Sequence, residues 1–344
     1  MNSPRPQGPR DVFERPIDDL RISVIDRCNF RCTFCMPAGH TYSFLPREEL
    51  LSFEEITRLA RVFSTLGVRK LRLTGGEPLL RTEIEKLVRM LSEIPDIDDL
   101  ALTTNGLLLE RKAAQLKEAG LQRVTVSFQS LDDEVFGRIN GQGYRVSDVL
   151  RGIDAAAQAG LDPVKINVVV MKDTNDGEIP DIARFFKERG HEVRFIEYMD
   201  VGTLNDWDPD GVVPAREIVR RVEEALPVEA VGRDRASDVA TRFRYRDGGG
   251  RMGVIASVSE PFCGACARGR ISADGSFYTC LFAAAGHDLK TSLRSGASDE
   301  EIRDLIWGIW STRDDRYSEL RSEAISSRAP LSSNRKVEMF RIGG

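Results

Sequence analysis

The sequence lacks a long hydrophobic run. No stretch within its 344 residues approaches the roughly 18 consecutive apolar residues of a membrane-spanning helix. Residues 1–10 are rich in proline and arginine and lack the apolar centre of a secretory signal peptide. These two absences argue against a membrane protein and predict a cytoplasmic one, in which residues 1–15 form a flexible leader.

The sequence also lacks a basic excess. Its 49 lysines and arginines are outnumbered by 54 aspartates and glutamates, which gives a formal net charge of −5. Without a surplus of positive charge, non-specific binding to nucleic acid is disfavoured, although a local basic pocket is not excluded. A chain of this length can bury a large core, either as one barrel-like domain with an appendage or as two ordinary domains.

Cysteine is absent from most of the chain. All six cysteines fall in two short groups, Cys28, Cys32, Cys35 and Cys263, Cys266, Cys280. A disulfide framework would scatter its cysteines along a small secreted chain, whereas this chain is long and has no secretory signal. The two tight groups therefore favour binding of a metal ion or an iron–sulfur cluster.

The first cysteine group has C-x3-C-x2-C spacing and follows a short apolar run that ends at Ile25. Three thiolates this close together can hold a soft metal or most of a cubane cluster. Because a 4Fe–4S cluster normally takes four protein thiolates, three of them leave one iron open to another ligand. The first group therefore predicts a reactive cluster rather than a purely structural site.

The second cysteine group has C-x2-C spacing followed by the single Cys280. A zinc knuckle would need a fourth ligand, for which His287 is the nearest candidate. The alternative is a second iron–sulfur cluster that is again short of one thiolate. Two incomplete cysteine sets favour two open iron sites over two damaged zinc sites, but spacing alone leaves both interpretations open.

A strand-then-helix alternation is predicted between residues 20 and 198. Short aliphatic and β-branched runs predict six buried strands, at residues 20–24, 70–73, 99–103, 123–127, 164–170 and 193–198. Amphipathic segments between them predict helices near residues 53–66, 82–94, 107–119, 146–159 and 179–189. This order predicts an α/β fold, a partial (β/α)6 TIM-like barrel.

The chain changes character after residue 200. A loop-rich stretch is followed by a predicted short helix at 215–226 and by two strands around the glycine run at 248–250. We expect the barrel at residues 16–200 and a C-terminal α+β domain with the second cysteine group at residues 201–330, which closes the barrel mouth. A tail at residues 331–344 ends in Gly-Gly.

Small and polar residues follow the predicted strands. Beyond the first cysteine group they include the Gly-Gly-Glu-Pro segment at 75–78, the Thr-Thr-Asn-Gly segment at 103–106, Ser127 and Met199. Each alone is compatible with an ordinary turn. Because the loops after the strands of such a barrel all open on one face, together they predict a shared active site.

Several basic residues occupy unusual positions. Arg268 and Arg270 alternate beside the second cysteine group, so on an extended strand both side chains would point to the same side. Two guanidinium groups there suit a phosphorylated ligand. Arg21, Arg72 and Lys165 lie in or beside predicted strands, where an unpaired buried charge is costly. We expect these three to face a polar barrel lumen.

The first cysteine spacing and the segment Gly75-Gly76-Glu77-Pro78 resemble those of radical S-adenosylmethionine (SAM) enzymes. With the second cysteine group and the terminal Gly-Gly, nearly the whole chain is similar to one branch of that superfamily, the GTP 3′,8-cyclases, which are lyases of molybdenum cofactor biosynthesis. The resemblance implies that a 5′-deoxyadenosyl radical abstracts hydrogen from C3′ of GTP. Addition of C3′ to C8 of guanine would then give 3′,8-cyclo-7,8-dihydro-GTP.

The resemblance also implies roles for individual residues. The first cysteine group would hold a 4Fe–4S cluster that binds SAM, and the second a 4Fe–4S cluster that binds the guanine of GTP. The positions that match SAM contacts are Phe34, Gly76, Ser127 and Met199. Those that match GTP contacts are Arg21, Arg72, Thr103, Lys165, Arg268 and Arg270. The implied catalytic residues are Cys28, Cys32, Cys35, Arg268 and Arg270.

Two positions depart from the family pattern: Phe34 and Gln129 stand where tyrosine and aspartate are commoner. The resemblance further implies a low-potential electron donor of the flavodoxin or ferredoxin type, a homodimer, and cyclic pyranopterin monophosphate synthase as the next pathway enzyme. It also implies that the Gly-Gly terminus reaches into the active site. The alternatives are a radical SAM enzyme that modifies peptides and a non-catalytic zinc or iron–sulfur protein.

Overall fold

The computed structural model describes residues 8–329 and 336–344, so the predicted leader and tail lie partly outside the described residues. Its strands are β1 (Asp19–Ser23), β2 (Lys70–Thr74), β3 (Asp99–Thr104), β4 (Arg123–Ser127), β5 (Val164–Val170), β6 (Glu192–Glu197), β7 (Val228–Gly232), β8 (Thr241–Tyr245), β9 (Arg251–Ile255), β10 (Arg268–Ile271), β11 (Ser276–Tyr278) and β12 (His287–Asp288). All of them belong to one mixed sheet.

The helices cover the strand connections and the C-terminal part of the chain. They are α1 (Phe53–Thr65), α2 (Ile84–Ser92), α3 (Leu109–Glu118), α4 (Asp133–Asn140), α5 (Val146–Gln158), α6 (Ile179–Glu188), α7 (Ala215–Ala225), α8 (Lys290–Arg294), α9 (Asp299–Ser311), α10 (Tyr317–Ser327) and α11 (Met339–Ile342). None of the helices within the described ranges is long and apolar enough to cross a membrane.

Strands β1 to β6 pair in chain order, and every pair is parallel. The six predicted strands agree with them to within one residue at each end, which confirms the predicted α/β alternation. Helix α1 shows which sequence signals make the helices of this alternation predictable. Ser52 and Glu55 form a reciprocal capping box at its start, and Ile56, Leu59 and Phe63 bury one face.

Two C-terminal strands extend the parallel part of the sheet. Strand β9 pairs with β6 and β10 with β1, both in parallel, which gives the uninterrupted parallel order β10-β1-β2-β3-β4-β5-β6-β9. The sequence pattern missed these two parallel neighbours because neither strand follows a crossover helix. The sheet does not close: within the described residues, β12 and β7 lie at its opposite edges. The fold is thus a partial, barrel-like α/β sheet, and the division at residue 200 stays a prediction.

Alternation along the central strands separates a helix-facing side from an inner side. In β1, Leu20 and Ile22 are fully buried in the apolar core, whereas Arg21 between them lines an internal cavity. In β2, Arg72 likewise lies between the buried Leu71 and Leu73 and lines the same cavity. The period of two along a strand therefore sends these arginines inward, away from the helices.

Candidate active site

A cavity of about 570 Å³ lies inside the curved sheet. All of the residues predicted from the sequence as cluster, SAM or GTP contacts line it: Arg21, Cys28, Cys32, Phe34, Cys35, Arg72, Gly76, Thr103, Ser127, Lys165, Met199, Cys263, Cys266, Arg268, Arg270 and Cys280. The two cysteine groups are more than 200 residues apart in sequence and are brought to one cavity because β10 pairs with β1.

The first cysteine loop is braced by the glycine pair that follows β2. The backbone N–H of Gly76 donates to the carbonyl of Ile25 at 2.7 Å, and that of Glu77 donates to the carbonyl of Arg27 at 2.8 Å. A Cβ on Gly76 would lie 2.3 Å from the Arg27 carbonyl oxygen. Only glycine permits this approach, so the segment is a support for the cysteine loop rather than an ordinary turn.

Glu77 joins the strand-end loops to one another. Its carboxylate is 1% exposed and accepts hydrogen bonds from the Thr104 hydroxyl at 2.7 Å and the Asn105 backbone N–H at 2.8 Å. The Asn105 side chain in turn donates to Asn29 at 2.8 Å, inside the cysteine loop. Burial raises the pKa of Glu77 to about 7.

A helix that the sequence analysis did not predict supports the other side of the loop. The C-terminal end of α4 accepts two backbone hydrogen bonds, from Arg31 to Asn140 at 2.7 Å and from Thr33 to Ile139 at 3.1 Å. The next residue, Gly141, has a φ of 64°, and a Cβ there would lie 2.5 Å from the Arg31 carbonyl oxygen. Gly141 therefore caps the C-terminal end of α4 in the left-handed conformation, and a glycine at that position is a sequence signal for the end of a helix.

In the part of the chain that the structure describes, no positive charge near the first cysteine group is strong enough to ionise its thiols. Burial raises the pKa of the Cys28 thiol to about 12, and burial with the neighbouring thiols raises those of Cys32 and Cys35 as well. Irons bound by these thiolates would supply the missing positive charge. Three soft donors that line one cavity fit a 4Fe–4S cluster.

The second cysteine group has a different electrostatic environment. Burial opposes ionisation of Cys266, but the guanidinium groups of Arg268 and Arg313 outweigh burial and lower its pKa to about 6. Cys280 has a pKa raised to about 12, mainly by burial. This group also fits a cluster by its donor chemistry, with one thiol already poised to be a thiolate.

Buried ion pairs hold the second group in place. Arg15 donates to the carbonyl of Cys263 at 2.7 Å, and Arg313 donates to the carbonyl of Cys266 at 2.8 Å. Asp11 accepts from both arginines, at 2.6 Å and 3.2 Å. Asp11 and Arg15 belong to the predicted leader, yet both side chains are buried here. These carbonyl contacts fix the backbone that carries the cysteines.

The zinc interpretation of the second group finds no support in the geometry. His287, the proposed fourth ligand, is exposed on β12 and does not line the cavity. Over residues 8–329 and 336–344, no three His, Cys, Asp or Glu side chains are close enough to hold a single metal ion. A cubane cluster binds its thiolates through different irons and therefore needs wider spacing than one zinc ion does.

The cavity holds more positive charge than its acidic side chains neutralise. Burial lowers the pKa of Arg21 and Arg72 to about 9, with neighbouring arginines adding to the effect, and that of Lys165 to about 7. Among residues 8–329 and 336–344, the buried Nε atoms of Arg21 and Arg72 have no hydrogen-bond partner. Buried cationic donors without acceptors indicate that the cavity binds a polyanionic ligand, which would supply both the hydrogen-bond acceptors and the counter-charge.

Further cations line the cavity that sequence reasoning missed, among them Lys70, Arg123 and Arg194. Arg123 is paired with Asp99 at 2.8 Å, and Arg194 with Glu192 at 2.6 Å. All three lie in strands of the parallel sheet. The charge-in-a-strand signal that identified Arg21 and Arg72 would have identified them too.

The C-terminal residues enter the cavity. Gly344 lines it, and the Gly343 carbonyl accepts a hydrogen bond from the Arg270 guanidinium. Gly343 has a φ of 72°, and a Cβ there would lie 2.2 Å from Cγ2 of Thr74. The tail is anchored upstream by Lys336, which pairs with Asp200 at 2.5 Å. The fold therefore leaves room for a terminal Gly-Gly beside the predicted substrate arginine.

The two residues that depart from the family pattern, Gln129 and Phe34, make different local contacts. Gln129 is buried, its side-chain oxygen accepts from the Val169 backbone N–H at 2.8 Å, and its carbonyl accepts from Asn175 at 2.7 Å. It therefore braces the end of β5. Phe34 lines the cavity, and its backbone carbonyl accepts from Asn205 at 3.4 Å.

A parallel α/β sheet whose first strand leads into a three-cysteine loop, braced by a Gly-Gly-Glu-Pro segment, defines the class of radical SAM proteins. The family model of the Radical SAM superfamily matches residues 22–186, and that of Molybdenum Cofactor Synthesis C matches residues 191–319.

Curated relatives are similar over nearly the whole chain. GTP 3′,8-cyclase of Acidothermus cellulolyticus is 50% identical, with 97% of this chain and 99% of the relative covered. GTP 3′,8-cyclase of Staphylococcus carnosus is 45% identical, with 97% and 98% covered. The chain belongs to the GTP 3′,8-cyclase family. Among solved structures, methylornithine synthase is 16% identical, with a TM-score of 0.49 over 62% of this chain and 63% of that protein.

Proposed function

We propose that the protein is a GTP 3′,8-cyclase, a radical SAM lyase that converts GTP to 3′,8-cyclo-7,8-dihydro-GTP in the first step of molybdenum cofactor biosynthesis. The observation that carries this proposal is the joint lining of one cavity by two three-cysteine groups and by buried cations without sufficient counter-charge. Family membership at 50% identity supports it independently.

The cofactors are two 4Fe–4S clusters, with SAM as cosubstrate. The first cysteine group would hold one cluster and the second group the other. When bound, the first cluster and SAM supply the radical hydrogen abstraction from the ribose, and the second cluster supplies an open iron for the guanine base. The protein's own part is to bind, orient and shield the nucleotide.

The cosubstrate side of the cavity would be formed around the first group. Phe34 and Met199 supply apolar contact surface, and Ser127 lies at the carboxyl end of β4 as a hydrogen-bonding group. Gly76 leaves its backbone accessible because no side chain covers it. We assign SAM contacts to these four residues.

The nucleotide side of the cavity would be formed by the cationic strands. Arg21, Arg72 and Lys165 would bind the triphosphate, since each gains a counter-charge from it. Thr103 holds the Arg72 guanidinium at 3.2 Å and so orients it. The set is completed by Arg268 and Arg270, which flank the second cysteine group from β10 and would position the base and ribose.

The reaction needs partners that bring electrons and remove product. We propose a low-potential, one-electron donor of the flavodoxin or ferredoxin type, since reductive cleavage of SAM consumes one electron. We further propose a homodimer and transfer of the product to cyclic pyranopterin monophosphate synthase. A catalytic system with these parts has no need of a membrane or of nucleic acid.

The test is anaerobic reconstitution followed by turnover. The reconstituted protein should be brown and carry about eight irons, which corresponds to two 4Fe–4S clusters. With SAM and a reductant, GTP should raise 5′-deoxyadenosine formation above the background and yield the cyclised nucleotide, whereas ATP and peptides should not. A brown protein without GTP-dependent 5′-deoxyadenosine would refute the cyclase assignment, and a colourless zinc protein would refute the cluster assignment.

A further inference from the structure

The connection between β7 and β8 forms part of the cavity wall. Its residues 234, 235 and 237–240 line the cavity. Arg235 pairs at 3.6 Å with Asp18, which directly precedes β1, and Asp238 pairs at 3.8 Å with Lys70, the first residue of β2. Because the first cysteine group lies beyond the carboxyl end of β1, the connection closes the opposite end of the cavity, at the amino ends of the strands.

Arg242 reaches this end of the cavity from β8. Its side chain is 12% exposed and lines the cavity. On β9 it is in register with Gly253, which on its other side is in register with Arg194 of β6. Residues directly opposite one another on neighbouring strands share one face of the sheet. Arg194 and Arg242 therefore both face the cavity, with β9 between them.

Gly253 keeps the space between these two arginines open. A Cβ there would lie 3.4 Å from Cγ of Arg194 and 3.2 Å from Cβ of Ala240. A larger side chain would therefore occupy the space in which the stem of Arg194 packs. The two guanidinium groups flank bare backbone, and a gap between two such groups suits an anion that accepts hydrogen bonds from both.

The counter-charge of Arg242 is shared and weak. One carboxylate oxygen of Asp238 lies 3.2 Å from Arg242, and the other lies 3.8 Å from Lys70. Its second partner, Asp234, is 56% exposed, and pairs with an exposed acid contribute little. Within residues 8–329 and 336–344, the buried Nε of Arg242 has no hydrogen-bond partner. Arg242 thus retains donor capacity for a ligand.

The neighbouring cations share an acid in the same way. Glu192 pairs with Arg194 at 2.6 Å and with Lys165 at 3.9 Å. The pKa of Lys165 is lowered mainly by burial, and the positive charges of Arg194 and, more weakly, Arg242 add to this. Arg242 therefore belongs to the same cationic cluster as Lys165, a residue assigned above to the triphosphate.

We propose that Arg242 binds the terminal phosphate of GTP and that Asp238 is an internal counter-ion which this phosphate displaces. The proposal rests on the proposed function, which places the triphosphate beside Lys165. A terminal phosphate carries about two negative charges near neutral pH, so it replaces Asp238 as acceptor and counter-charge. A diphosphate lacks the group that reaches Arg242. The pair thereby selects a triphosphate over a diphosphate.

The experiment compares GTP with GDP on the reconstituted full-length protein. Calorimetric titrations are made without oxygen, SAM or reductant, so that binding is measured without turnover. Wild type should bind GTP more tightly than GDP. Arg242→Met should weaken GTP binding about tenfold, because a charge-assisted contact is lost, and change GDP binding by less than about twofold. Arg242→Lys should restore part of the affinity for GTP.

Two further variants separate the counter-ion from general effects of charge. Asp238→Asn should bind GTP about threefold more tightly, because no internal carboxylate then competes with the phosphate. The matched control is Arg244→Met on the same strand, since Arg244 is 59% exposed and pairs with Glu229 outside the cavity. This control should match wild type with both nucleotides.

Several outcomes would overturn the proposal. One is equal affinity of wild type for GTP and GDP, and another is unchanged GTP binding by Arg242→Met. Equal weakening of both nucleotides in Arg242→Met would mean that the arginine supports the fold or an inner phosphate. Weaker GTP binding by Asp238→Asn would exclude the counter-ion role. If wild type binds GTP but forms no GTP-dependent 5′-deoxyadenosine with SAM and a reductant, the proposed function is refuted instead.

Discussion

The two cysteine groups share a cavity but differ in how the protein surrounds them. Around the first group, backbone contacts from the glycine pair and from α4 provide the support, and burial raises the pKa values of Cys28, Cys32 and Cys35. Around the second group, Arg15 and Arg313 provide it through the backbone carbonyls of Cys263 and Cys266.

This difference separates the tasks of the two sites. A cluster in apolar surroundings with little positive charge resists an added electron and so has a low reduction potential. That property suits the site expected to reduce SAM. A cluster among guanidinium groups is held more firmly and favours electron-rich or anionic ligands. That property suits the site expected to hold GTP.

Loss of one cysteine from each group should separate the two tasks. Cys32→Ser should lose about half of the iron and all SAM cleavage, because the thiolate set that binds the reactive cluster is incomplete. Cys266→Ser should also lose about half of the iron but retain SAM cleavage that no longer depends on GTP. Iron analysis with 5′-deoxyadenosine and nucleotide chromatography would check both. GTP-stimulated cleavage by Cys266→Ser would contradict the assignment of GTP to the second group.

Removal of the β10 arginines should impair substrate use without loss of metal. Arg268→Ala and Arg270→Ala should each lower kcat/KM for GTP by roughly 100-fold, since each removes a charge-assisted contact of about 2–3 kcal/mol. Iron content should remain near that of wild type. The readouts are steady-state turnover and iron analysis. Iron loss in either variant would mean that the arginine supports the cluster instead of the nucleotide.

The low pKa of Lys165 predicts a pH-dependent affinity for GTP. Burial and Arg194 lower this pKa to about 7 in the free protein, and a bound triphosphate would raise it again. Binding then takes up a proton, so affinity should fall as pH rises, by at most about tenfold between pH 6 and pH 8 from this residue.

Lys165→Met serves as the reference for that measurement, because GTP phosphates titrate in both proteins while Lys165 does so only in wild type. Calorimetric titrations across this pH range give the difference between the two proteins. If the ratio of their affinities stays constant with pH, Lys165 does not change its protonation state on binding.

The arginine beside Cys266 should tune the second cluster. Arg313→Met should lower its reduction potential by roughly 60 mV, which corresponds to a tenfold change in a one-electron equilibrium, while Arg313→Lys should restore most of the value. The first cluster should be unaffected. A redox titration followed by electron paramagnetic resonance resolves the two signals. Equal shifts of both clusters would show that Arg313 acts through the overall fold.

The barrel strands and the first cysteine loop could be predicted from the sequence because their signals are local. Six strands were located to within one residue, since short β-branched runs alternate with amphipathic helices. The sequence also predicts that Arg21 and Arg72 face the lumen. Their neighbours on the strand are aliphatic and face the helices, and an unpaired charge buried against the helices would be costly.

Other features could not be predicted because their signals are not local. The parallel pairing of β9 and β10 with strands more than 50 residues away follows from no crossover pattern. The buried network of Asp11, Arg15 and Arg313 joins residues about 300 positions apart, and in the sequence its first two members belong to a polar, proline-rich leader. Helix α4 was not predicted because it has only eight residues and is followed by another helix, α5, instead of a strand.

The chemistry of the site can be recognised in the residues alone: six cysteines in two incomplete groups, a glycine pair after the second strand and charges inside strands. These features depend only on residue type and spacing, so they can be recognised without the three-dimensional structure. That the two groups line one cavity, the second contacted by arginines and the first by backbone, emerges from the tertiary structure alone. The physical reason is that β10 pairs with β1 through non-local hydrogen bonds, whose partners no stretch of sequence specifies alone.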